Sequence, residues 1–265
     1  MDERLNKAAI LAALGDHPWA GTLEVLDVVD STNTYLKARG AAGAAHGTVA
    51  VADAQTGGRG RLGRGFDSAP GAGVYLSALL RPACPPQALM SLTAQAAVAV
   101  RRAILAVAGA EAGIKWVNDL VLDRRKICGI LTELALEPDS GRVAYAVVGV
   151  GINCNRPAAS FPPELRQTAG SLLSQTGRRV DRNALAAALI RELAALPGLD
   201  WRAEYRAACV NLGKAVQILA PGKEPRTGVA LDVGQEAELI VQTSEGIEHI
   251  RSGEVSVRGL YGYVT

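Results

Sequence analysis

Apolar positions along the chain alternate between helical and strand spacing. Leu5 to Leu14 carries them at helical intervals and stops near Gly15 and Pro18, residue types that end helices. Leu23 to Val29 is a run of apolar and β-branched residues and predicts a strand. Asp30-Ser31-Thr32-Asn33 then supplies several N-cap oxygens ahead of Tyr35-Leu36-Lys37, so a helix is expected to start there. Thr48 to Ala52 and Gly73 to Leu80 read as strands. Between them, residues 55 to 73 hold many glycines and no apolar period. This predicts a long loop, and long loops inside compact domains are usually functional or disordered.

Leu89 to Val107 is rich in alanine and valine and predicts a long buried helix. Ile114 to Trp116, Leu120 to Leu122, Lys126 to Leu136 and Val143 to Ile152 read as successive strands. Arg124-Arg125 is expected as a tight turn and Pro138-Asp139-Ser140-Gly141 as a hairpin loop. Strands this close in sequence form hairpins, hence a mixed, largely antiparallel sheet. Asp181 to Leu196 has an N-cap aspartate and a stripe of Leu185, Leu189, Leu193 and Leu196, and Trp201 to Leu212 is also expected to be helical. After Gly213 the pattern changes to short strands, Val216 to Ala220, Thr227 to Val233, Glu238 to Gln242, Ile247 to Ile250 and Val255 to Val257, separated by glycines. Even, close spacing of this kind predicts a small β-barrel. The expected fold class is therefore α+β: residues 1–212 as a sheet packed with helices, and residues 213–265 as a small C-terminal β-barrel domain.

Composition adds limits. At 265 residues the chain has room for one large and one small domain. Apolar residues make up 49% and charged residues 20%, ordinary for a globular protein. A formal net charge of +2 is low for a protein that tracks a nucleic-acid backbone, so no DNA partner is expected. The basic residues cluster, however, at Arg59, Arg61 and Arg64 and again at Arg124-Arg125-Lys126, which favours local anion binding. Cys84, Cys128, Cys154 and Cys209 are far apart and form no C-x-x-C pair, so reduced buried thiols are expected. Met1-Asp2-Glu3-Arg4 lacks the features of a signal peptide, and no apolar run looks long enough to span a bilayer. The expectation is a soluble cytoplasmic protein without a membrane partner.

Three segments carry candidate chemistry. Gly58-x-Gly60-x-x-Gly63 matches the dinucleotide-binding fingerprint letter for letter, but that fingerprint must open a helix. Here Arg64-Gly65-Phe66-Asp67-Ser68-Ala69-Pro70-Gly71 follows, which cannot be one. The intervening arginines point instead to a loop that binds anions through side chains as well as backbone. Lys115-Trp116-Val117-Asn118-Asp119-Leu120 with Arg125-Lys126-Ile127-Cys128-Gly129-Ile130-Leu131 gathers Lys115, Asn118, Asp119 and Lys126 around two short strands. Read blandly, Trp116 is core and the charges are solvated. Val150-Gly151-Ile152-Asn153 ends a strand on a glycine and an amide, which alone means little.

Taken in order, Ser31-Thr32-Asn33, Gln55 with Gly58-Arg59-Gly60-Arg61, Lys115-Trp116-x-Asn118-Asp119, Arg125-Lys126-x-x-Gly129-Ile130-Leu131 and Gly149-x-Gly151-Ile152-Asn153 resemble the biotin protein ligase family. The resemblance covers about residues 23 to 265. It implies a biotin/lipoate ligase-like catalytic domain with an SH3-like terminal barrel. It also implies an enzyme that joins biotin to ATP with Mg²⁺, then passes biotin from biotinyl-5′-AMP to a lysine of a biotin carboxyl carrier protein. Carried over by motif, Arg61, Lys126 and Asp119 are the catalytic candidates. Ser31, Thr32, Asn33, Gln55, Arg59, Gly60, Arg61, Lys126 and Gly129 are the biotin-binding candidates. Arg61, Arg64, Phe66, Lys115, Asn118, Asp119 and Asn153 form the ATP side. Mg²⁺ is expected on the ATP phosphates, with its protein ligands left open. Family members pair through sheet edges or remain single, so a homodimer is left open. The five glycines of residues 57–65 imply a loop that orders over the ligand.

The chain departs from the family at Val117, where proline is usual, at Phe66, where tryptophan is usual, and at Thr168-Ala169-Gly170-Ser171, where some members stack adenine on a tryptophan. Only 22 residues precede the first expected strand, so a helix-turn-helix domain like that of the repressor members is not expected. A lipoate ligase and a non-catalytic biotin sensor are the alternatives. The arginine loop with Lys115-Trp116-x-Asn118-Asp119 favours biotin over lipoate, and intact Arg61 and Lys126 favour catalysis.

Overall fold

The computed structural model describes residues 4–220, 222–252 and 256–259. Helix α1 (Lys7–Leu14) is capped by Asn6, whose side chain accepts from the Ala9 amide, and ends at Gly15 with φ 65°. Strand β1 (Leu23–Val29) leads into α2 (Thr32–Ala41), with Ser31 as N-cap. Then come β2 (Thr48–Gln55), β3 (Gly73–Leu80) and α3 (Leu92–Ala108). Strands β4 (Gly113–Lys115), β5 (Asp119–Leu122), β6 (Arg125–Leu136) and β7 (Val143–Asn153) follow. Helices α4 (Leu172–Thr176), α5 (Arg182–Ala194) and α6 (Arg202–Ala208) complete the first part. The last part holds β8 (Ala215–Leu219), β9 (Arg226–Val233), β10 (Leu239–Thr243), β11 (Gly246–Ile250) and β12 (Ser256–Gly259).

Four sequence expectations change. The helix expected to reach Leu212 stops at Ala208, because the Val210 amide donates to the Ile114 carbonyl and the chain runs beside β4 instead. The tight turn lies at Asp123-Arg124, both at positive φ (42° and 66°), and Arg125 already belongs to β6. The segment Pro86–Ala108 is long and apolar enough by composition to cross a membrane, contrary to the expectation that no run is. In the fold it comprises a 3-10 turn, Pro86–Leu89, and α3, whose Ala96, Val100, Ala103 and Ile104 are buried against the sheet and α5. The short helix α4 was not expected; a reciprocal capping box of Ser171 and Ser174 starts it. Val255, in the last expected strand, lies outside the described residues.

The main sheet has the order β1-β2-β3-β7-β6-β5-β4, with β1 and β2 parallel and every other pair antiparallel. Strand alternation assigns its two faces. Val74, Leu76, Ala78 and Val148, Val150, Ile152 point into the main core with α1, α3 and α5. Burying side chains of this size contributes roughly 1.5–3 kcal/mol each. The opposite residues face α2, where Leu36 packs on Ala50, Leu79 and Val147. On that second face the register sets Ser77 beside Gly149 and Leu131, and Tyr75 beside Gly151 and Gly129. Three glycines in one two-row patch leave a trough where side chains would otherwise stand.

The C-terminal strands form a five-stranded antiparallel sheet in the order β11-β10-β9-β8-β12, with β11 and β12 at its edges in the described pairings. It packs on the site-bearing part through Trp116, whose indole N–H donates to the Ala237 carbonyl at 2.8 Å. Val216, Ile218, Ala230 and Val241 join the same core cluster as the helices.

Candidate active site

The glycine–arginine segment folds back on itself as a narrow hairpin. The Phe66 amide donates to the Gly58 carbonyl (2.8 Å) and the Gly60 amide to the Arg64 carbonyl (2.7 Å), with a one-turn 3-10 segment, Arg61–Gly63, at the tip. Gly58 is required here, since a Cβ would sit 2.3 Å from the Phe66 carbonyl oxygen. No helix follows, so the dinucleotide fingerprint fails on its own structural condition. The hairpin is anchored behind by the Gly57 amide, which donates to the Asp30 carbonyl at 2.8 Å.

Against this hairpin, at the Gly129 end of the trough, lies a cavity of ≈ 530 Å³. The hairpin supplies Gly60, Arg61, Arg64 and Phe66 to its wall, and the β4–β6 region supplies Lys115, Asn118, Asp119 and Lys126. Asn153 also lines it, so every residue assigned to the ATP side from sequence meets in one place. Beside it is a small recess of ≈ 20 Å³ lined by Ser31, Thr32, Asn33 and Gln55. Arg59, Phe66 and Gly129 border both spaces. The Phe66 ring lies on the glycine floor: a Cβ on Gly151 would come within 2.7 Å of it, and one on Gly129 within 3.3 Å.

The charges in the cavity are held in place. Arg61 donates through Nη1 to Asn118 Oδ1 at 3.0 Å, while the Asn118 amide donates to the Ile130 carbonyl at 3.0 Å. Burial lowers the Arg61 pKa, and nearby Asp119 offsets part of that effect. Its Nη2 is buried with no hydrogen-bond partner among the described residues, an arrangement suited to an incoming anion. Lys126 Nζ stands 2.7 Å from Asp119 Oδ1. Asn153 donates to the Gly170 carbonyl (3.0 Å), pinning the segment that also bridges to Lys126.

The recess is polar, and its hydrogen bonds have a defined direction. Glu133 Oε2 and the Leu131 carbonyl accept from the Asn33 amide nitrogen at 3.0 and 3.1 Å, so Asn33 Oδ1 faces Ser77 Oγ at 2.7 Å. Ser77 has one proton to give and donates it there; the Thr32 hydroxyl lies 2.7 Å from Ser77 Oγ and 3.2 Å from Gln55 Oε1, so its own proton goes to one of these two oxygens. Gln55 Oε1 accepts the Thr32 amide (2.8 Å), and Gln55 Nε2 donates to Ser68 Oγ (2.8 Å). Burial would raise the Glu133 pKa, but hydrogen bonds from Lys37 and Asn33 outweigh it and hold the carboxyl below its ordinary value.

Sequence reasoning missed several of these groups. Ser77 and Glu133 support the recess from behind. Gly149, quoted within a motif but given no role, forms its floor: a Cβ there would lie 1.9 Å from Asn33 Oδ1. The G-x-G spacing on a strand could have revealed this. Phe161, Leu165 and Ala169 form an apolar part of the cavity wall, with Thr168 beside them, and no motif marked Phe161 or Leu165.

Comparison with known proteins agrees with this geometry. Residues 25–153 match the biotin/lipoate A/B protein ligase family, and residues 212–258 match the biotin protein ligase C-terminal domain. The biotin–[acetyl-CoA-carboxylase] ligase of Mycobacterium tuberculosis is 35% identical over 267 residues, covering 96% of this chain and 95% of that protein. The chain belongs to the biotin protein ligase family. Within the family, the bifunctional ligase/repressor BirA of Bacillus spizizenii is also 35% identical, over 96% of this chain and 79% of its own length. A biotin protein ligase from Aquifex aeolicus, solved in complex with biotin and ATP, superposes with a TM-score of 0.74 at 29% identity, covering 90% of this chain and 99% of that one.

Proposed function

We propose that this protein activates biotin with ATP as biotinyl-5′-AMP and transfers it to a lysine of a biotin carboxyl carrier protein. The observation that carries this reading is a polar recess that opens, past shared Arg59, Phe66 and Gly129, into a cavity lined by Arg61, Arg64, Lys115 and Lys126. Biotin has matching halves. Its cyclic urea offers a carbonyl and two N–H groups, which suit the Ser31 hydroxyl as donor and Thr32 Oγ1 as acceptor. Its valerate carboxylate then extends toward the cations. Lipoate carries a dithiolane at that end, which would leave the recess groups unpaired at a cost of about 1–3 kcal/mol each.

In the first step a carboxylate oxygen attacks the α-phosphorus and pyrophosphate leaves. Two like-charged groups must meet, so fixed cations contribute most where negative charge builds up. Arg61 and Lys126 take that role, Arg61 with its buried Nη2. Arg64, Lys115, Asn118 and Asn153 hold the nucleotide, and Phe161 with Leu165 offers the adenine an apolar wall. Mg²⁺ would travel with the triphosphate and screen its charge, and no cluster of three or more acidic, His or Cys groups that could hold it stands among the described residues. In the second step the carrier amine attacks the acyl carbon and AMP leaves. A free lysine has a pKa of about 10.4 and must lose a proton first; Asp119 orients that amine or accepts its proton.

One assay decides the reading. The protein is incubated with ATP, Mg²⁺, a carrier domain and either labelled biotin or labelled lipoate. Label is expected on the carrier from biotin alone. Absence of transfer from biotin overturns the reading, and transfer from lipoate replaces it.

A further inference from the structure

We infer that Glu133, which lines neither the recess nor the main cavity, is a positioning residue for the biotin end of the site, bracing the wall and the lid of the polar recess at once. The inference rests on the ligase reading above. Glu133 sits on β6, where its side chain is 17% exposed. Its two oxygens face different parts of the site. Oε2 accepts from the Asn33 amide at 3.0 Å, while Oε1 pairs with Lys37 Nζ at 2.8 Å and with Arg59 Nη1 at 3.5 Å. One carboxylate thus ties together helix α2, strand β6 and the glycine–arginine hairpin.

A carboxylate suits this place because it only accepts. With Glu133 and the Leu131 carbonyl both accepting from Asn33 Nδ2, the amide cannot turn over. Asn33 Oδ1 therefore takes the Ser77 proton, and the Thr32 hydroxyl, 2.7 Å from Ser77 Oγ and 3.2 Å from Gln55 Oε1, spends its own proton within the wall and keeps acceptor capacity for the recess. The same carboxylate balances Arg59, which borders both spaces. The two links differ in strength. The bond to Asn33 is charge-assisted and partly buried, whereas Arg59 is 46% exposed and its pairing is screened by water. The wall link should dominate.

The test compares steady-state adenylation, followed by pyrophosphate release, in the whole wild-type chain, Glu133→Leu and Glu133→Gln, with biotin, desthiobiotin and ATP varied separately. Leucine has no acceptor, so the KM for biotin should rise about tenfold or more. Desthiobiotin, which keeps the urea, should lose by the same factor, and the KM for ATP should stay within about twofold. Glutamine keeps an acceptor oxygen and should recover most of the loss. A biotin KM unchanged in Glu133→Leu overturns the inference. So does a parallel rise in the biotin and ATP constants that tracks a fall in Tm, since that marks a purely structural role. Failure of the wild-type protein to release pyrophosphate with biotin would instead refute the ligase reading itself.

Discussion

Gly149→Ala offers the sharpest test of how the recess is built. The new Cβ would lie 1.9 Å from Asn33 Oδ1 and 2.7 Å from its Cγ, about 1.5 Å inside ordinary contact. Asn33 cannot yield cheaply. Its amide is held by the Leu131 carbonyl, Glu133 and Ser77, and the β7 backbone is fixed by pairing with β3 on one side and β6 on the other. Displacing the amide breaks up to three buried hydrogen bonds. At about 1 kcal/mol for each neutral bond and about 1.5–3 for the charged one, the cost is roughly 3–5 kcal/mol. For a chain of this size that corresponds to a Tm lower by about 6–20 °C. Calorimetry with and without biotin separates the two ways of absorbing the cost. If the wall shifts, biotin affinity should fall by about 100-fold and biotin should no longer raise Tm. A variant with Tm within about 2 °C of wild type and unchanged biotin affinity would refute the packing argument.

Four further outcomes follow from the same geometry. Arg61→Gln should slow pyrophosphate release by about 10²–10³; a rate within tenfold of wild type would remove Arg61 from the reacting centre. Asp119→Asn should still form the adenylate but pass biotin to the carrier at least about tenfold more slowly, read by single-turnover transfer from preformed adenylate; transfer at the wild-type rate rules out its proposed role. Because the folded Glu133 carboxyl lies below its ordinary value of 4.5, its stabilisation is present above that pH and is lost as pH falls through the folded value. The Tm gap between wild type and Glu133→Gln should therefore narrow on acidification below 4.5, and a constant gap would contradict this. Limited proteolysis should cut residues 57–65 faster without biotin and ATP than with them; equal rates would argue against a hairpin that orders over the ligand.

Much of this protein is legible in its sequence because the signals are local. Helical and strand periods, the caps at Ser31 and Asp181 and the glycines that close turns depend on neighbours a few residues away. The missing helix after Gly65 already separates the arginine loop from a dinucleotide site. Ordered motifs place Arg61, Asp119 and Lys126 in one family. Sequence alone does not decide which distant residues share a face. Ser77, Glu133 and Gly149 meet Asn33 only because β3, β7 and β6 pair in one register, and a slip of one residue would turn all of them to the opposite face. Phe161 and Leu165 reach the cavity through an irregular segment with no period to read. Likewise, the helix expected to run through Leu212 ends early because Ile114, almost a hundred residues away, offers a carbonyl that local propensity cannot anticipate. Local chemistry pointed to the candidate reacting groups, whereas long-range pairing decided the shape and polarity of the pocket around them.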